Sequence, residues 1–177
     1  MTYRTKDILR ISYPILISLL MEQLIGLTDT AFLGRVGEVE LGASAIASIF
    51  YTIFFMASFG FSIGTQILIA RRNGEKQYKE IGMLFYQGLY FQLALAVFIL
   101  LLSYFISPLI LKQILSSEAI YNSSIIYLQW RVLGGLFAFC TTIFRAYFVG
   151  TTQTKTLTLN SVVMVLSNVV FNYILIF

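Results

Sequence analysis

Two carboxylic acids lie inside the first long apolar stretch of the chain, which covers residues 11–33. They are Glu22 and Asp29, and because their seven-residue spacing is about two turns of α-helix, both lie on one helix face. An acid near the middle of a spanning helix costs about 2.5–3.5 kcal/mol on insertion scales, and it usually faces protein or water. The pattern therefore predicts that this face binds a cation or a proton.

Each acid also has a structural explanation. Asp29 could lie at the membrane interface or hydrogen-bond near a helix end, because Gly34 and Gly37 follow it closely. Glu22 lies too deep to reach the headgroups easily, but it could form a hydrogen bond to a neighbouring helix. The residue types alone therefore leave both an ion-binding role and a structural role open.

The fourth and fifth apolar stretches carry polar groups that could complete such a site. Asn168 and Asn172 are one turn apart on the same face, at a predicted depth similar to that of Asp29. Amides in membrane helices can ligate an ion or form interhelical hydrogen bonds of about 0.6 kcal/mol. Arg131 is expected at a similar depth, where it could pair with Glu22 or Asp29 or be satisfied by backbone carbonyls.

The composition places these residues in a membrane protein. Of the 177 residues, 58% are hydrophobic and 11% are charged, whereas soluble domains carry about 25% charged residues. We expect an all-α, polytopic membrane protein, because the apolar segments are too long for core helices and do not alternate as barrel strands do. The five predicted transmembrane helices of this single membrane domain are residues 11–33, 41–70, 81–111, 121–148 and 157–177.

Other functional classes lack the residues that they need. The chain has no histidine and one cysteine, Cys140, which excludes imidazole catalysis and a disulfide framework. No serine or cysteine nucleophile has a partner base, so we do not expect an enzyme. The formal net charge is +4, but no basic amphipathic helix is present, so we expect no nucleic-acid partner.

Basic residues in the loops predict the orientation. Lysine and arginine are concentrated in the N-terminal tail, after the second segment and near residue 155, whereas the opposite side has Arg35 and Lys112. The positive-inside rule then places the N-terminus in the cytoplasm and the protein in the inner (plasma) membrane. Because the fifth segment stays apolar up to Phe177, we interpret the chain as a truncated reading frame or a fragment.

Proline and glycine add two expectations about helix geometry. Pro14 frees a carbonyl in the first helix and predicts a kink, which is either static or a moving hinge. Gly60 and Gly64 form a GxxxG motif in the second helix, and this motif predicts close helix packing.

Four longer stretches, together with Pro14, resemble one known family. They are LTDTAFLGRVG at Leu27–Gly37, GFSIGTQILIARRNGEK at Gly60–Lys76, FRAYFVGTTQTKTLTLN at Phe144–Asn160 and SNVVFNYILIF at Ser167–Phe177. In this order they are similar to helices 1, 2, 4 and 5 of the multidrug and toxic compound extrusion (MATE) transporters. The resemblance implies a twelve-helix antiporter of two six-helix lobes, of which this chain covers five helices of the N-terminal lobe. Its partners would be the sixth helix, the C-terminal lobe, membrane lipids and a small cationic substrate.

The resemblance also implies roles for individual residues. Family members export organic cations in exchange for sodium ions or protons and need no other cofactor. Asp29 matches the aspartate that binds the cation or proton, and Asn168 matches an asparagine of helix 5, so Na⁺ would bind at Asp29 and Asn168. Asn172 stands where some members have an aspartate. Either Glu22 compensates for the missing carboxylate, or Na⁺ is the coupling ion.

Two alternative functions stay open. A lipid-linked oligosaccharide flippase of the same superfamily would favour a strongly cationic cavity, whereas Arg131 is the one basic residue that we expect at depth. A non-transporting fragment or regulatory membrane module would agree with the apolar end of the chain.

Overall fold

The computed structural model describes residues 5–176, without the side chains of residues 6, 7 and 176. The described residues form five α-helices joined by short connections, which confirms the all-α prediction. The helices are α1 (Thr5–Val36), α2 (Glu38–Gly74), α3 (Tyr78–Ile114), α4 (Glu118–Gly150) and α5 (Lys155–Ile176). All five are long and apolar enough to cross a membrane, so the chain is a multi-pass membrane protein. The first four extend beyond the predicted apolar segments at both ends.

Local capping explains where the helices stop. Lys76 and Thr152 adopt positive φ angles of 58° and 61°, directly after α2 and α4. A left-handed residue at this position lets the next backbone N–H reach back to the last turn, as the bond from Gln77 N to the Arg72 carbonyl at 2.9 Å does. At the other end of α4, the Ser117 side chain accepts a hydrogen bond from the Ile120 backbone N–H. These caps turn the chain back into the bundle within a few residues.

The five helices pack as two groups. Helices α2, α3 and α4 contact one another extensively, and we call them the three-helix group. Helices α1 and α5 form a separate pair, in which α1 also touches α2 while α5 hardly touches α4. The α1–α5 pair is therefore attached to the three-helix group mainly through α1.

A buried amide holds the three-helix group together. Gln92 of α3 is fully buried; its Oε1 accepts from the Ser58 hydroxyl at 2.9 Å, and its Nε2 donates to the Ser58 carbonyl at 2.8 Å. The same Nε2 donates to the Thr142 hydroxyl of α4 at 3.0 Å. Because hydrocarbon offers no hydrogen bonds, a polar side chain at this depth is retained where neighbouring helices satisfy it. One residue thus ties three helices into a fixed register.

Close helix packing occurs at other glycines than the sequence motif predicts. Gly60 and Gly64 are exposed, and a Cβ at either position would meet no atom within 4 Å. The GxxxG expectation is therefore wrong among the described residues, because this face of α2 is turned away from its neighbours. A Cβ at Gly88 would lie 3.2 Å from Ile143, and one at Gly150 would lie 2.7 Å from Ile69 and 3.1 Å from the Gln66 carbonyl. These glycines let α3 and α2 approach α4.

We predict that Gly150→Ala destabilises the bundle by about 1–3 kcal/mol, the usual cost of forcing a methyl group into a packed contact. Unfolding of the purified chain in mixed detergent micelles measures this change. Gly64→Ala is the matched control, and it should be neutral or slightly stabilising because alanine is the better helix former in open space. Equal stability of the two variants would contradict the proposed contact between α2 and α4.

Candidate functional site

The structure brings together three of the polar residues selected from the sequence. Asp29 of α1 is half-buried, and its Oδ1 accepts hydrogen bonds from Asn168 Nδ2 at 2.8 Å and from Asn172 Nδ2 at 2.7 Å. The two asparagines lie one turn apart on α5, and Asn172 Nδ2 also lies 3.3 Å from Asn168 Oδ1. We call Asp29, Asn168 and Asn172 the acid–amide cluster.

Polar contacts elsewhere along the α1–α5 pair fix its register. Ser18 and Ser161 are buried, and their hydroxyl oxygens are 2.6 Å apart. One turn further along α1, the Thr158 hydroxyl donates to the Pro14 carbonyl at 3.0 Å. With the two helices locked at these points, the amides of α5 lie opposite Asp29. The acid–amide cluster is thus positioned by ordinary hydroxyl contacts several turns away.

Pro14 lies inside α1, which continues through it from Thr5 to Val36. The Pro14 carbonyl has the Thr158 hydroxyl as an additional donor, so this part of α1 is held against α5. This contact describes one arrangement of the helix. A moving hinge at Pro14 stays a prediction from the sequence.

The electrostatics of the acid–amide cluster suit an exchangeable charge. Two amide N–H groups converge on one carboxylate oxygen, and hydrogen bonds to charged groups are worth about 1.5–3 kcal/mol each. The carboxylate is therefore stabilised without a fixed cationic side chain, since the ion pairs of the described residues do not include Asp29. A mobile cation could replace these donors, whereas a bound arginine would exclude it.

The structure places Glu22 apart from the acid–amide cluster. Arg145 Nη1 of α4 lies 2.9 Å from Glu22 Oε1 and 3.0 Å from Oε2, and the Arg145 guanidinium lies 5.8 Å from the Phe59 ring centre. The Arg145 side chain is 19% exposed and that of Glu22 is 37% exposed. This ion pair links α1 to α4. The Glu22 carboxylate is therefore occupied by Arg145 and does not join Asp29 as a second ion-binding group in this structure.

Sequence reasoning missed Arg145 as a partner because it was grouped with the basic loop residues near Lys155. It lies within the fourth apolar segment, and a second arginine there could have been matched with the deeper of the two acids of α1. Arg131 was therefore not the one basic residue inside a spanning helix.

Neither possibility for Arg131, pairing with Glu22 or Asp29 or satisfaction by backbone carbonyls, is found among the described residues. Arg131 Nη1 donates to the Tyr127 hydroxyl at 2.9 Å, and the guanidinium lies 5.0 Å from the Tyr51 ring centre. Arg131 and Arg145 are fourteen residues apart on α4, or about 21 Å along the helix. Because Arg145 pairs with Glu22, Arg131 lies far from Glu22 along the helix axis. Its Nε is buried without an acceptor among the described residues, which costs about 1–3 kcal/mol.

A bundle of spanning helices with a half-buried acid–amide cluster is the architecture of an integral membrane transport protein. The chain matches the family model MatE over residues 14–174. It therefore belongs to the MATE family, whose members are transporters and not enzymes.

The relatives agree with this family. A probable multidrug resistance protein NorM from Shewanella oneidensis is 28% identical over 129 residues, which is 72% of this chain and 28% of the relative. NorM from Streptococcus pneumoniae is 26% identical and covers 96% of this chain, and the multidrug resistance protein PmpM from Pseudomonas aeruginosa is 25% identical and covers 97%. The chain is thus similar, along nearly its whole length, to proteins named as multidrug resistance proteins.

A solved structure has the same fold. It is a MOP superfamily transporter from Pyrococcus furiosus, described as having a binding pocket of reverse polarity that suggests a different function. The TM-score is 0.90 at 20% identity, over 96% of this chain and 38% of that one. The chain also spans 37% of the Streptococcus relative and 36% of the Pseudomonas relative. The chain therefore spans a little over a third of the length of these proteins.

We predict that removing either partner of the Glu22–Arg145 ion pair destabilises the bundle by about 1–3 kcal/mol, because a charge is left unpaired away from water. In the Glu22→Gln/Arg145→Gln double variant, the loss should be smaller than the sum of the single losses by about 1–2 kcal/mol. Unfolding in mixed micelles measures the cycle. Arg71→Gln is the control; its side chain is 72% exposed in its ion pair with Glu75, so the change should stay within about 0.5 kcal/mol. Strict additivity of the two losses would contradict a direct interaction.

Proposed function

We propose that this chain forms part of a cation-coupled antiporter that exports small organic cations by alternating access, with Na⁺ or H⁺ as the coupling ion. The acid–amide cluster is the observation that carries the proposal. It places one carboxylate and two neutral amides together in the α1–α5 pair, away from the ion pairs of the described residues.

The cluster offers a simple exchange of ligands. In the structure, both amides direct their N–H groups toward Asp29. Half a turn of each amide about its last side-chain bond would present carbonyl oxygens instead, and a hard cation such as Na⁺ prefers oxygen ligands. Asp29 and Asn168 would then hold Na⁺, with Asn172 as a further ligand. Protonation of Asp29 is the corresponding event if H⁺ is the coupling ion.

Coupling follows from charge. A cation or proton on Asp29 neutralises the cavity and lowers its affinity for a cationic substrate, and release of that ion to the cytoplasm restores the affinity. Because the ion and the substrate favour different states, their binding shifts the equilibrium between inward-open and outward-open forms. The sixth helix and a C-terminal lobe would supply the surface against which this lobe rocks.

Orientation and location form part of the proposal. We place the protein in the inner (plasma) membrane with the N-terminus in the cytoplasm, supported by the basic residues at the connection between α2 and α3. In a Cys140→Ala background, Lys76→Cys should react with an impermeant thiol reagent in inverted vesicles and not in intact cells. Ser116→Cys, in the connection between α3 and α4, is the matched control with the opposite pattern. Labelling of Lys76→Cys in intact cells would reverse the assigned topology.

We predict that Asp29→Asn in the complete transporter reduces the rate of ion-driven export by about tenfold or more, since the exchangeable charge is lost. Asn168→Ala should weaken the response to the ion gradient, because one ligand is removed. Transport of a fluorescent organic cation into proteoliposomes measures this, with sodium and proton gradients imposed separately.

Asn160→Ala is the matched control on the same helix. Asn160 is exposed, and its amide contacts Met164 Sδ at 3.3 Å rather than the cluster. Its transport rate should equal that of the unmodified protein. Normal ion-driven export by the Asp29→Asn variant would contradict the assignment of the coupling site to Asp29. In the unmodified protein, export driven by a sodium gradient alone, or by a proton gradient alone, identifies the coupling ion.

The flippase alternative has less support from the charges of this chain. Glu22 neutralises Arg145, and Asp29 adds a negative charge to the cavity side of α1. Arg131 is left as the unpaired cation among these groups, which falls short of a strongly cationic cavity. A non-transporting membrane module predicts no ion-driven uptake in the same proteoliposome assay.

A further inference from the structure

A positive charge without an acidic partner lies near the middle of α4. Arg131 is half-buried and lies 13 residues from the start of the helix at Glu118. The ion pairs of the described residues join Glu22 to Arg145, and Glu75 and Glu80 to arginines at the end of α2. None of them includes Arg131. Intramembrane cations pair with an acid or with backbone carbonyls, or they serve a ligand pathway.

The residues around Arg131 hold its side chain in one orientation. Tyr127, Arg131 and Gly135 follow at four-residue spacing and share one face of α4. Gly135 leaves room for the Tyr51 ring of α2, which would touch a Cβ there at 3.4 Å. With the guanidinium 5.0 Å from the centre of this ring and Nη1 bonded to the Tyr127 hydroxyl, the side chain is held in place. Nη1 is bonded to Tyr127 and Nε is buried without an acceptor, so the two N–H groups of Nη2 are the donors left to bind a ligand.

The site faces the same side of the bundle as the acid–amide cluster. Arg131 and Arg145 are 14 residues apart, close to four full turns, so they share a face of α4. Arg145 reaches Glu22 of α1 from this face, and Asp29 lies two turns beyond Glu22 on the same face of α1. Counting the helix rise from the ion pair places Arg131 about 10 Å from the level of Asp29 along the membrane normal.

We propose that Arg131, oriented by Tyr127 and Tyr51, binds an oxyanion group, a carboxylate or a phosphate, on the face of α4 that it shares with Arg145. A planar guanidinium matches these groups with paired N–H donors. The role in transport rests on the function proposed above. A substrate that reaches both sites carries a positive group near Asp29 and a negative group at least about 10 Å away, because the offset along the membrane normal is the minimum separation. Zwitterionic molecules of this length are then the preferred substrate class.

Binding to the unmodified 177-residue chain tests the proposal. The chain is purified in dodecyl maltoside, which has no phosphate or carboxylate, and titrated with 2-naphthoate and with its neutral analogue 2-naphthamide by saturation-transfer NMR. We expect 2-naphthoate to bind at least about tenfold more tightly than the amide. Arg131→Gln should remove this preference. Arg131→Lys should weaken 2-naphthoate binding severalfold, because the charge remains while the paired donors are lost.

Lys112→Gln is the matched control for net charge, since Lys112 is an exposed cation at the C-terminal end of α3. Its 2-naphthoate affinity should be unchanged. Circular dichroism establishes that each variant is folded; if Arg131→Gln does not fold, Arg131→Lys decides the question. Equal affinities for the carboxylate and the amide, or an unchanged affinity in the folded Arg131 variant that is measured, overturns the proposal.

Two further arms separate the source of the oxyanion from the coupling site. Added phosphatidylglycerol that displaces 2-naphthoate assigns the site to a lipid phosphate, whereas retention of 2-naphthoate assigns it to a solute. Asp29→Asn should leave 2-naphthoate binding equal or slightly tighter, because a negative charge is removed from the same cavity. Normal ion coupling in Asp29→Asn, with 2-naphthoate binding that depends on Arg131, overturns the proposed function alone. Loss of coupling in Asp29→Asn, with no preference of the unmodified chain for 2-naphthoate, overturns the Arg131 site alone.

Discussion

Inside a hydrocarbon layer, a polar side chain has no water with which to form hydrogen bonds. This constraint determines how the helices of this protein are joined. Asp29 is satisfied by two amides of α5, Glu22 by a guanidinium of α4, and Gln92 by hydroxyl and carbonyl groups of α2 and α4. Each of these contacts joins different helices. The apolar residues make the chain a membrane protein, and the polar residues determine which helices are neighbours.

The two acids of α1 illustrate how one helix serves two neighbours. They lie about two turns apart on a single face, yet Glu22 contacts α4 and Asp29 contacts α5. The backbone of α1 packs against α5 and touches α2, so the long side chains of Glu22 and Arg145 bridge the wider gap between α1 and α4. The acid paired with an arginine adds a link between the two groups, whereas the acid bonded to neutral amides has no cationic side chain among its partners.

Five spanning helices could be predicted because long uninterrupted runs of apolar residues are visible in the order of the sequence alone. The grouping of Asp29 with Asn168 and Asn172 could also be anticipated, since residue counting gives depth along each helix. Depth does not identify lateral neighbours, and for that reason Arg131 was matched with acids that Arg145 or the amides already satisfy.

The glycine contacts were out of reach for a related reason. A GxxxG motif defines a smooth strip on a helix but not whether another helix lies against it. Gly60 and Gly64 have open space beside them, whereas Gly150, which belongs to no such motif, lies against Ile69. Close approach depends on the crossing point of two helices, and a single sequence does not contain that information.

The attachment of the α1–α5 pair has a mechanical consequence. Because α5 hardly touches α4 and α1 touches α2, a tilt of the pair about the Glu22–Arg145 contact would disturb mainly the α1–α2 contact. Asp29 lies about 10 Å from that pivot, so a tilt of about ten degrees would carry its carboxylate by about 2 Å. A displacement of this size is comparable to the length of one hydrogen bond. A small rocking of two helices would thus be enough to exchange one set of ligands around the acid for another.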